Sequence, residues 1–110
     1  MQTYKVIISE LASSDLQDIV TYIGQRDCHA NAKRVERGIL SKTKELSRFP
    51  ESCPKDRYAS TETQDVRFAM KWKYKILFII ESNVVQIVRI FHTAQNPEKL
   101  TNIIHQIKPK

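Results

Sequence analysis

The segment 66–91 constrains the fold most, because it holds three strand patterns joined by very short connections. Apolar and more polar residues alternate over 66–71, which is the two-residue period of a half-buried strand. The runs 74–80 and 84–91 are almost continuously rich in β-forming residues, as expected of strands covered on both faces. Connections as short as the turn dipeptide Ser82-Asn83 join antiparallel neighbours. The segment therefore predicts a three-stranded antiparallel meander.

Strand and helix patterns precede the meander. An alternating pattern at 4–8 predicts an opening strand. Apolar stripes at the helical period then predict two helices, over about 10–24 and 30–48. Pro50 ends the second helix, because a residue that precedes proline is disfavoured in helical geometry. The short connection between these helices predicts an antiparallel helical hairpin.

A last helical pattern follows the meander. Asn96-Pro97-Glu98 supplies a capping residue, a proline suited to the first turn and an acid near the helix N-terminus. It predicts a C-terminal helix over about 97–107. The element order is then β-α-α-β-β-β-α: an N-terminal strand, a helical hairpin, a three-strand antiparallel meander and a C-terminal helix. This order predicts a single α+β domain over residues 1–110, with helices against one face of a small sheet.

The composition fits such a domain and argues against fibrous and membrane classes. A chain of 110 residues with 41% hydrophobic and 27% charged residues has the ordinary balance of a globular protein. Its longest aliphatic and aromatic run, 76–80, is far shorter than the roughly 20 residues that a membrane helix needs. The first residues show no apolar signal segment. We therefore expect a cytoplasmic protein with no membrane partner.

The cysteines and histidines do not form a metal-binding pattern. Cys28 and Cys53 are not part of a CxxC pair, and His29, His92 and His105 lack the HxxxH spacing. Two cysteines are too few for a disulfide framework, and free thiols suit a reducing compartment. We expect neither a metal nor a cofactor.

Positive charge is the most evident functional signal. The chain has 18 Lys and Arg against 12 Asp and Glu, a net charge of +6. Arg67, Lys71, Lys73 and Lys75 follow one another with no acid among them. A basic face attracts phosphate backbones, acidic proteins or acidic peptides. The alternative is a solvated surface without a partner.

Two aromatic residues lie within this basic stretch. Trp72 and Tyr74 alternate with lysines, a mixture that can stack nucleic acid bases. The alternative is a hairpin turn whose aromatic side chains cover the core. The sequence leaves both explanations open.

The order of elements and several motifs resemble the RelE/ParE family of bacterial type II toxins over about residues 3–95. The motifs are the opening strand 4–8, the first-helix pattern Ala12-x-x-Asp15-Leu16-x-x-Ile19-x-x-Tyr22-Ile23, the helix end Leu46-x-x-Phe49-Pro50, Arg67 at a strand start, and Tyr74-Lys75-Ile76-x-Phe78 before Val88-Arg89-Ile90-Phe91-His92. The strand end at His92 is similar to the ParE branch. Gln95 stands where that branch usually has arginine, and Phe78 where many members have tyrosine.

The resemblance implies three alternative functions. A ParE-like chain would inhibit DNA gyrase as the toxin of a plasmid-stabilisation type of system. A RelE-like chain would be a metal-independent endoribonuclease that cuts messenger RNA on the ribosome. A third possibility is a non-toxic module that only binds an antitoxin. In each case the implied partner is a cognate antitoxin, forming a toxin–antitoxin hetero-oligomer by adding a strand or an amphipathic helix.

Candidate nuclease residues follow from the chemistry of RNA cleavage, which needs a base, an acid and a cation near the phosphate. Arg67, Lys71 and His92 are the best candidates for catalytic roles, because His92 can titrate near neutrality and the two cations share one side of a regular strand. The alternatives are a structural hydrogen bond for His92 and a solvated face or antitoxin contact for the cations.

The candidate residues for binding a target or an antitoxin are Arg67, Lys71, Lys73, Arg89 and His92. In a regular strand, Arg89 and His92 face opposite sides, so we do not expect them to share a site. Arg89 lies among apolar residues and needs a partner for its charge, for which Glu81 on the neighbouring strand is one candidate.

Overall fold

The structure, a computed structural model, describes residues 3–94. The elements are β1 (Lys5–Ile8), α1 (Glu10–Arg26), α2 (His29–Glu45), β2 (Arg67–Lys71), β3 (Tyr74–Glu81) and β4 (Val84–His92), with a short 3-10 turn (Pro50–Ser52) after α2. The predicted order of one strand, two helices and three strands is confirmed. The predicted C-terminal helix at 97–107 lies outside the described residues. Within residues 3–94 no helix is long and apolar enough to cross a membrane.

The helix boundaries differ from the predicted ones at two C-terminal ends. Helix α1 runs past residue 24 to Arg26, and the N–H of Asp27 still donates to the Ile23 carbonyl at 2.8 Å. Helix α2 stops at Glu45 instead of 48. The N–H groups that follow it, beginning with Leu46, bond to the carbonyl three residues back, so the chain tightens into a turn before Pro50.

The four strands form one sheet in the order β1-β4-β3-β2. The meander pairs antiparallel, and β1 pairs parallel with β4. The helical hairpin therefore connects β1 to the meander and packs on one face of the sheet. The buried core of this face comes from both layers and includes Ala12, Leu16, Val35, Ile39, Ile76, Phe78, Ile87 and Ile90.

A bulge interrupts the pairing of β3 with β4. Phe78 lies opposite Ile87 and Leu77 lies opposite Arg89, so Val88 is an additional residue in β4. Ile87 and Ile90 both belong to the helix-side core although they are an odd number of residues apart. The bulge thus corrects the alternation of β4 and lets both halves of the strand bury apolar side chains on this face.

Beyond the end of β1, Ser9 and the first turns of α1 provide the hydrogen bonds to the edge of β4. Strand β1 ends at Ile8, and Ser9 donates its N–H to the Ile87 carbonyl at 3.0 Å and its Oγ–H to the Val88 carbonyl at 3.3 Å. The Ser9 Oγ also accepts from the Ala12 N–H at 3.1 Å, as a helix N-cap. Six residues after Ser9, the Asp15 carboxylate accepts the Ile90 N–H at 2.9 Å. Polar groups of α1 therefore satisfy the strand edge that β1 leaves open.

Arg89 forms a bidentate ion pair with Asp15. Its Nε and Nη2 each donate to an Asp15 carboxylate oxygen at 2.7 Å, and both side chains are largely buried. The suggestion that Glu81 would pair with Arg89 is wrong. Glu81 lies opposite Val84 at the other end of β4, whereas α1 passes directly beside Arg89. The ion pair links the helical hairpin to the sheet.

The second face of the sheet is covered by the loop between the 3-10 turn and β2. Ala59 and Val66 from this loop join a smaller core with Leu77 and other strand residues. The Asp56 carboxylate, 5% exposed, accepts from the Tyr58 and Ala59 N–H groups and pairs with the Lys75 ammonium at 2.7 Å. Lys75 thus holds the loop against the sheet.

Trp72 rests on a glycine of α2. It occupies the β2–β3 turn with φ 53°, a left-handed conformation. A Cβ at Gly38 would lie 2.6 Å from Trp72 Cζ3, closer still to Cη2, and 3.2 Å from Lys71 Cε. Only glycine, which has no side chain, leaves room for the indole to pack against the middle of α2.

We predict that Asp15→Asn lowers the free energy of unfolding by about 3 kcal/mol, because it leaves the mostly buried Arg89 guanidinium without a counter-charge. Urea unfolding followed by circular dichroism measures the change. Asp18→Asn is the matched control, since Asp18 is an exposed acid on the same helix. Equal stability of the two variants would contradict the structural role of the ion pair.

Gly38→Ala is expected to displace the indole of Trp72 while keeping the fold. The added methyl group occupies the space of the ring, and the half-exposed ring can move towards solvent. Alanine favours the helix by about 1 kcal/mol over glycine, which offsets the lost packing. Trp72 is the only tryptophan, so its emission should shift to longer wavelength with little change in melting temperature. An unchanged emission maximum would contradict the contact.

Candidate functional site

A cleft of about 550 Å³ opens between the second half of α1 and the ends of β3 and β4. Its lining combines ionisable, aromatic and small apolar side chains. They are Asp18, Ile19, Tyr22, Tyr74, His92 and Ala94. The cleft lies at the end of the sheet where β4 finishes and the β2–β3 turn is formed. It contains one of the residues that the sequence identifies as a candidate, His92.

His92 is oriented by two contacts. Its ring meets Tyr74 edge to face, with centroids 5.3 Å apart and an interplanar angle of 89°. Its Nδ1 accepts the Ala94 N–H at 3.0 Å, so the neutral imidazole carries its proton on Nε2. The structural hydrogen bond that the sequence offered as an alternative for His92 is therefore present. The Nε2–H of the neutral ring remains as a hydrogen-bond donor.

Tyr74 is the phenol beside this imidazole. Burial raises the pKa of Tyr74 above its ordinary value, and the nearby Tyr22 raises it further. The phenol therefore stays protonated at neutral pH and can donate a hydrogen bond, but it is a poor base. Tyr22 is exposed, and Arg26 stacks over its ring at 5.1 Å. Among the described residues that line the cleft, the ionisable groups are Asp18, Tyr22, Tyr74 and His92, and none is a lysine or an arginine.

Arg67 lies at a different corner, beside the 3-10 turn. Its Nη1 donates to the carbonyl oxygens of Cys53 at 2.6 Å and Glu51 at 3.1 Å. The Glu51 carboxylate accepts the Tyr4 hydroxyl, and this hydrogen bond lowers the pKa of Glu51, to which the charge of Arg67 adds. The guanidinium thus holds the 3-10 turn against β2, which is a structural role.

Lys71, Trp72 and Lys73 form the tip of the β2–β3 hairpin. The Lys71 ammonium lies 4.7 Å from the Trp72 ring centroid, and Arg34 of α2 lies 5.0 Å from it. Lys73 is exposed. We call Arg34, Gly38, Lys71, Trp72 and Lys73 together the Trp72 platform.

Strand register shows which candidates lie together. Lys71 is opposite Tyr74, which is opposite His92, so Lys71 and His92 share a row two strands, or about 10 Å, apart. Arg67 lies four residues along β2, about 13 Å from Lys71. Arg89 is held by Asp15. The structure therefore brings Lys71, Lys73 and His92 to one end of the sheet and leaves Arg67 and Arg89 elsewhere.

Several residues at this end were not identified from the sequence. Asp18 and Tyr22 stand four residues apart on α1, a spacing that places both on one helical face and that could have signalled a site. Gly38, one of two glycines in the chain, interrupts a helical pattern, which often indicates close packing. Arg34 gives no such signal, because its partner Trp72 is distant in sequence.

Metal chemistry finds no support in the arrangement of side chains. Over residues 3–94, no group of three or more His, Cys, Asp and Glu side chains is placed to hold a metal ion. Cys28 and Cys53 are free thiols, and burial raises the pKa of Cys53.

Three solved structures with the same fold come from toxin–antitoxin systems. A chain of the chromosomal ParDE system from P. aeruginosa aligns with TM-score 0.68 and 18% identity over 82% of this chain and 96% of that chain. The RelBE2 complex from Mycobacterium tuberculosis gives 0.64 and 22%, covering 86% and 97% of the two chains. The archaeal RelE–RelB complex from Pyrococcus horikoshii OT3 gives 0.55 and 18%, covering 86% and 100%. These likenesses confirm the fold.

The sequence itself identifies the family. No curated protein matches the chain. The family model for the ParE toxin of the type II toxin–antitoxin system parDE matches residues 6–97, which include every described element except the first residue of β1. The resemblance to the RelE/ParE toxins is confirmed, and the chain belongs to the ParE toxin family of type II toxin–antitoxin systems.

Proposed function

We propose that this chain is a toxin that inhibits DNA gyrase in the cytoplasm and is neutralised by a cognate antitoxin. The match to the ParE toxin family supports the toxin role, and the structural relatives, solved as toxin–antitoxin complexes, support an antitoxin partner. Gyrase is the more specific part of the proposal, and it requires binding rather than catalysis by this chain.

The observation that carries the proposal is the dispersal of the candidate catalytic residues. RNA cleavage without a metal needs a base, an acid and a cation around one phosphate. Arg67 is occupied by the Cys53 and Glu51 carbonyls, and Arg89 by Asp15. Neither guanidinium reaches the cleft that holds His92. The geometry favours a binding protein over a nuclease.

One observation favours the endoribonuclease as a second candidate. His92 keeps Nε2 available in a cleft that also offers the protonated phenol of Tyr74. Lys71 lies in the same row of the sheet, although two strands away. The presence of these three side chains in one region supports the endoribonuclease as the alternative.

The proposed antitoxin site is the β1 edge of the sheet. Within residues 3–94 β1 is an edge strand, its own Ile7 is exposed, and Leu11 in the first turn of α1 is exposed as well. The opposite edge is partly closed, because Lys55 bridges to Arg67 and the Phe68 N–H donates to the Pro54 carbonyl. An added strand or helix with apolar side chains would satisfy the open edge. The net charge of +6 favours an acidic antitoxin segment.

The purified chain is expected to inhibit ATP-dependent supercoiling of relaxed plasmid by gyrase. Relaxation of the same plasmid by a type I topoisomerase is the control, because a basic protein that merely coats DNA would block both enzymes. Unaffected supercoiling, combined with cut transcripts in a cell-free translation reaction, would contradict gyrase inhibition and favour the nuclease. No effect in either reaction would favour the non-toxic module.

His92→Asn separates binding from catalysis. The Asn side-chain oxygen can still accept the Ala94 N–H, but an amide cannot act as a general acid or base. We expect growth inhibition and gyrase inhibition to remain at the level of the unchanged chain. A nuclease that relied on His92 would instead lose about a hundredfold or more in cleavage rate. The two readouts are plasmid supercoiling and transcript integrity after induction.

A further inference from the structure

We propose that the Trp72 platform is the surface through which this toxin binds an acidic segment of gyrase. The inference rests on the proposed function and names the region that would carry it. It starts from Trp72, a large aromatic residue that is half-exposed. Its ring is 47% exposed and belongs to neither core cluster of the described residues.

The backbone of Trp72 makes this residue an unexpected choice for its turn. Its φ of 53° lies in the left-handed region, which glycine adopts freely and bulky residues disfavour. A bulky residue in that conformation is compatible with a role for its side chain outside the fold. Tryptophan and arginine are also the residues that contribute most often to protein–protein affinity.

The indole is held in place before any partner arrives. The indole packs against Gly38 of α2. The charged groups of Arg34 and Lys71 lie over the ring, 5.0 and 4.7 Å from its centroid. The Arg34 guanidinium is itself oriented, because Nε and Nη2 donate to the Asn31 side chain at 3.2 and 2.9 Å. Binding of a partner therefore costs little conformational entropy for ordering these side chains.

The charge of the platform indicates what it binds. Arg34, Lys71 and Lys73 surround the ring, and none of the ion pairs formed within residues 3–94 joins any of them to a carboxylate. By contrast, Lys75 and Arg89 are both neutralised by buried or partly buried acids. The uncompensated positive charge around an apolar ring suits a segment with carboxylates flanking an apolar side chain.

An acidic protein segment fits better than single-stranded nucleic acid. Bases bind by stacking on a free aromatic face. The Trp72 ring already has two cations over it, so a base would have to displace Arg34 or Lys71. Carboxylates can bind these cations without displacing them from the ring. The exposed part of the indole can then contact an apolar side chain.

The test compares Trp72→Gly with Phe49→Gly. Phe49 is a matched control, since it is an exposed aromatic residue, at 63%, with the same φ of 53°. Glycine relieves the left-handed backbone at both sites, so neither variant should unfold. In the gyrase supercoiling reaction, Trp72→Gly should raise the toxin concentration for half-inhibition by about tenfold or more. Phe49→Gly should leave it unchanged.

Two further variants address the platform without removing the indole. Gly38→Ala retains every platform side chain but displaces the ring, and it should weaken inhibition in the same direction. Lys73→Glu reverses an exposed charge and should weaken inhibition most at low salt. In toxin that contains fluorotryptophan, the single fluorine resonance of Trp72 should shift when gyrase is added.

The outcomes separate this inference from the proposed function. If the unchanged chain inhibits gyrase and Trp72→Gly inhibits equally well, the platform is not the contact and only this inference fails. An equal loss in Phe49→Gly would also overturn it. If the unchanged chain does not inhibit gyrase, both proposals fail. A fluorine shift caused by oligothymidine but not by gyrase would assign the platform to nucleic acid and overturn an acidic protein partner.

Discussion

The rest of the structure depends on the hydrogen bonds and the ion pair that the Asp15 carboxylate forms. It accepts the Ile90 N–H where β1 no longer covers the edge of β4, and it holds the Arg89 guanidinium with two bonds of 2.7 Å. One side chain thus joins α1 to the sheet and satisfies both a backbone donor and a largely buried charge. The same contact fixes the second half of α1 over the ends of β3 and β4, where Asp18 and Tyr22 complete the cleft.

Six of the 18 basic residues fall into two groups. Arg67, Lys75 and Arg89 are bound to carbonyls or carboxylates and stabilise the fold. Lys71 and Lys73 remain at the hairpin tip with Arg34. A net charge of +6 therefore does not describe a uniform basic surface, and a mutation of a basic residue changes either stability or binding depending on its group. Loss of toxicity in an Arg67 or Arg89 variant would by itself say little about a target.

The sequence predicts what depends on local periodicity and misses what depends on distant contacts. Strand alternation and helical stripes were sufficient for the order of elements, because each pattern lies within one segment. The partner of Arg89 lies 74 residues away in sequence, and the bulge at Val88 is hidden in a continuous apolar run. The contact of Trp72 with Gly38 is equally invisible. The sequence thus proposes candidate residues one by one, and only the fold shows which of them lie together.

The contacts that hold the fold together and the Trp72 platform involve different residues, which bears on how the target of such a toxin can change. The fold-holding contacts of Asp15 and Asp56 lie on α1 and the covering loop, whereas the Trp72 platform lies on a hairpin tip and one exposed face of α2. Substitutions at the tip leave both buried carboxylates paired, so we expect them to have little effect on folding. Members of one fold can therefore act on different targets. This chain shares only 18–22% identity with three chains of the same fold, so the fold itself tolerates extensive substitution.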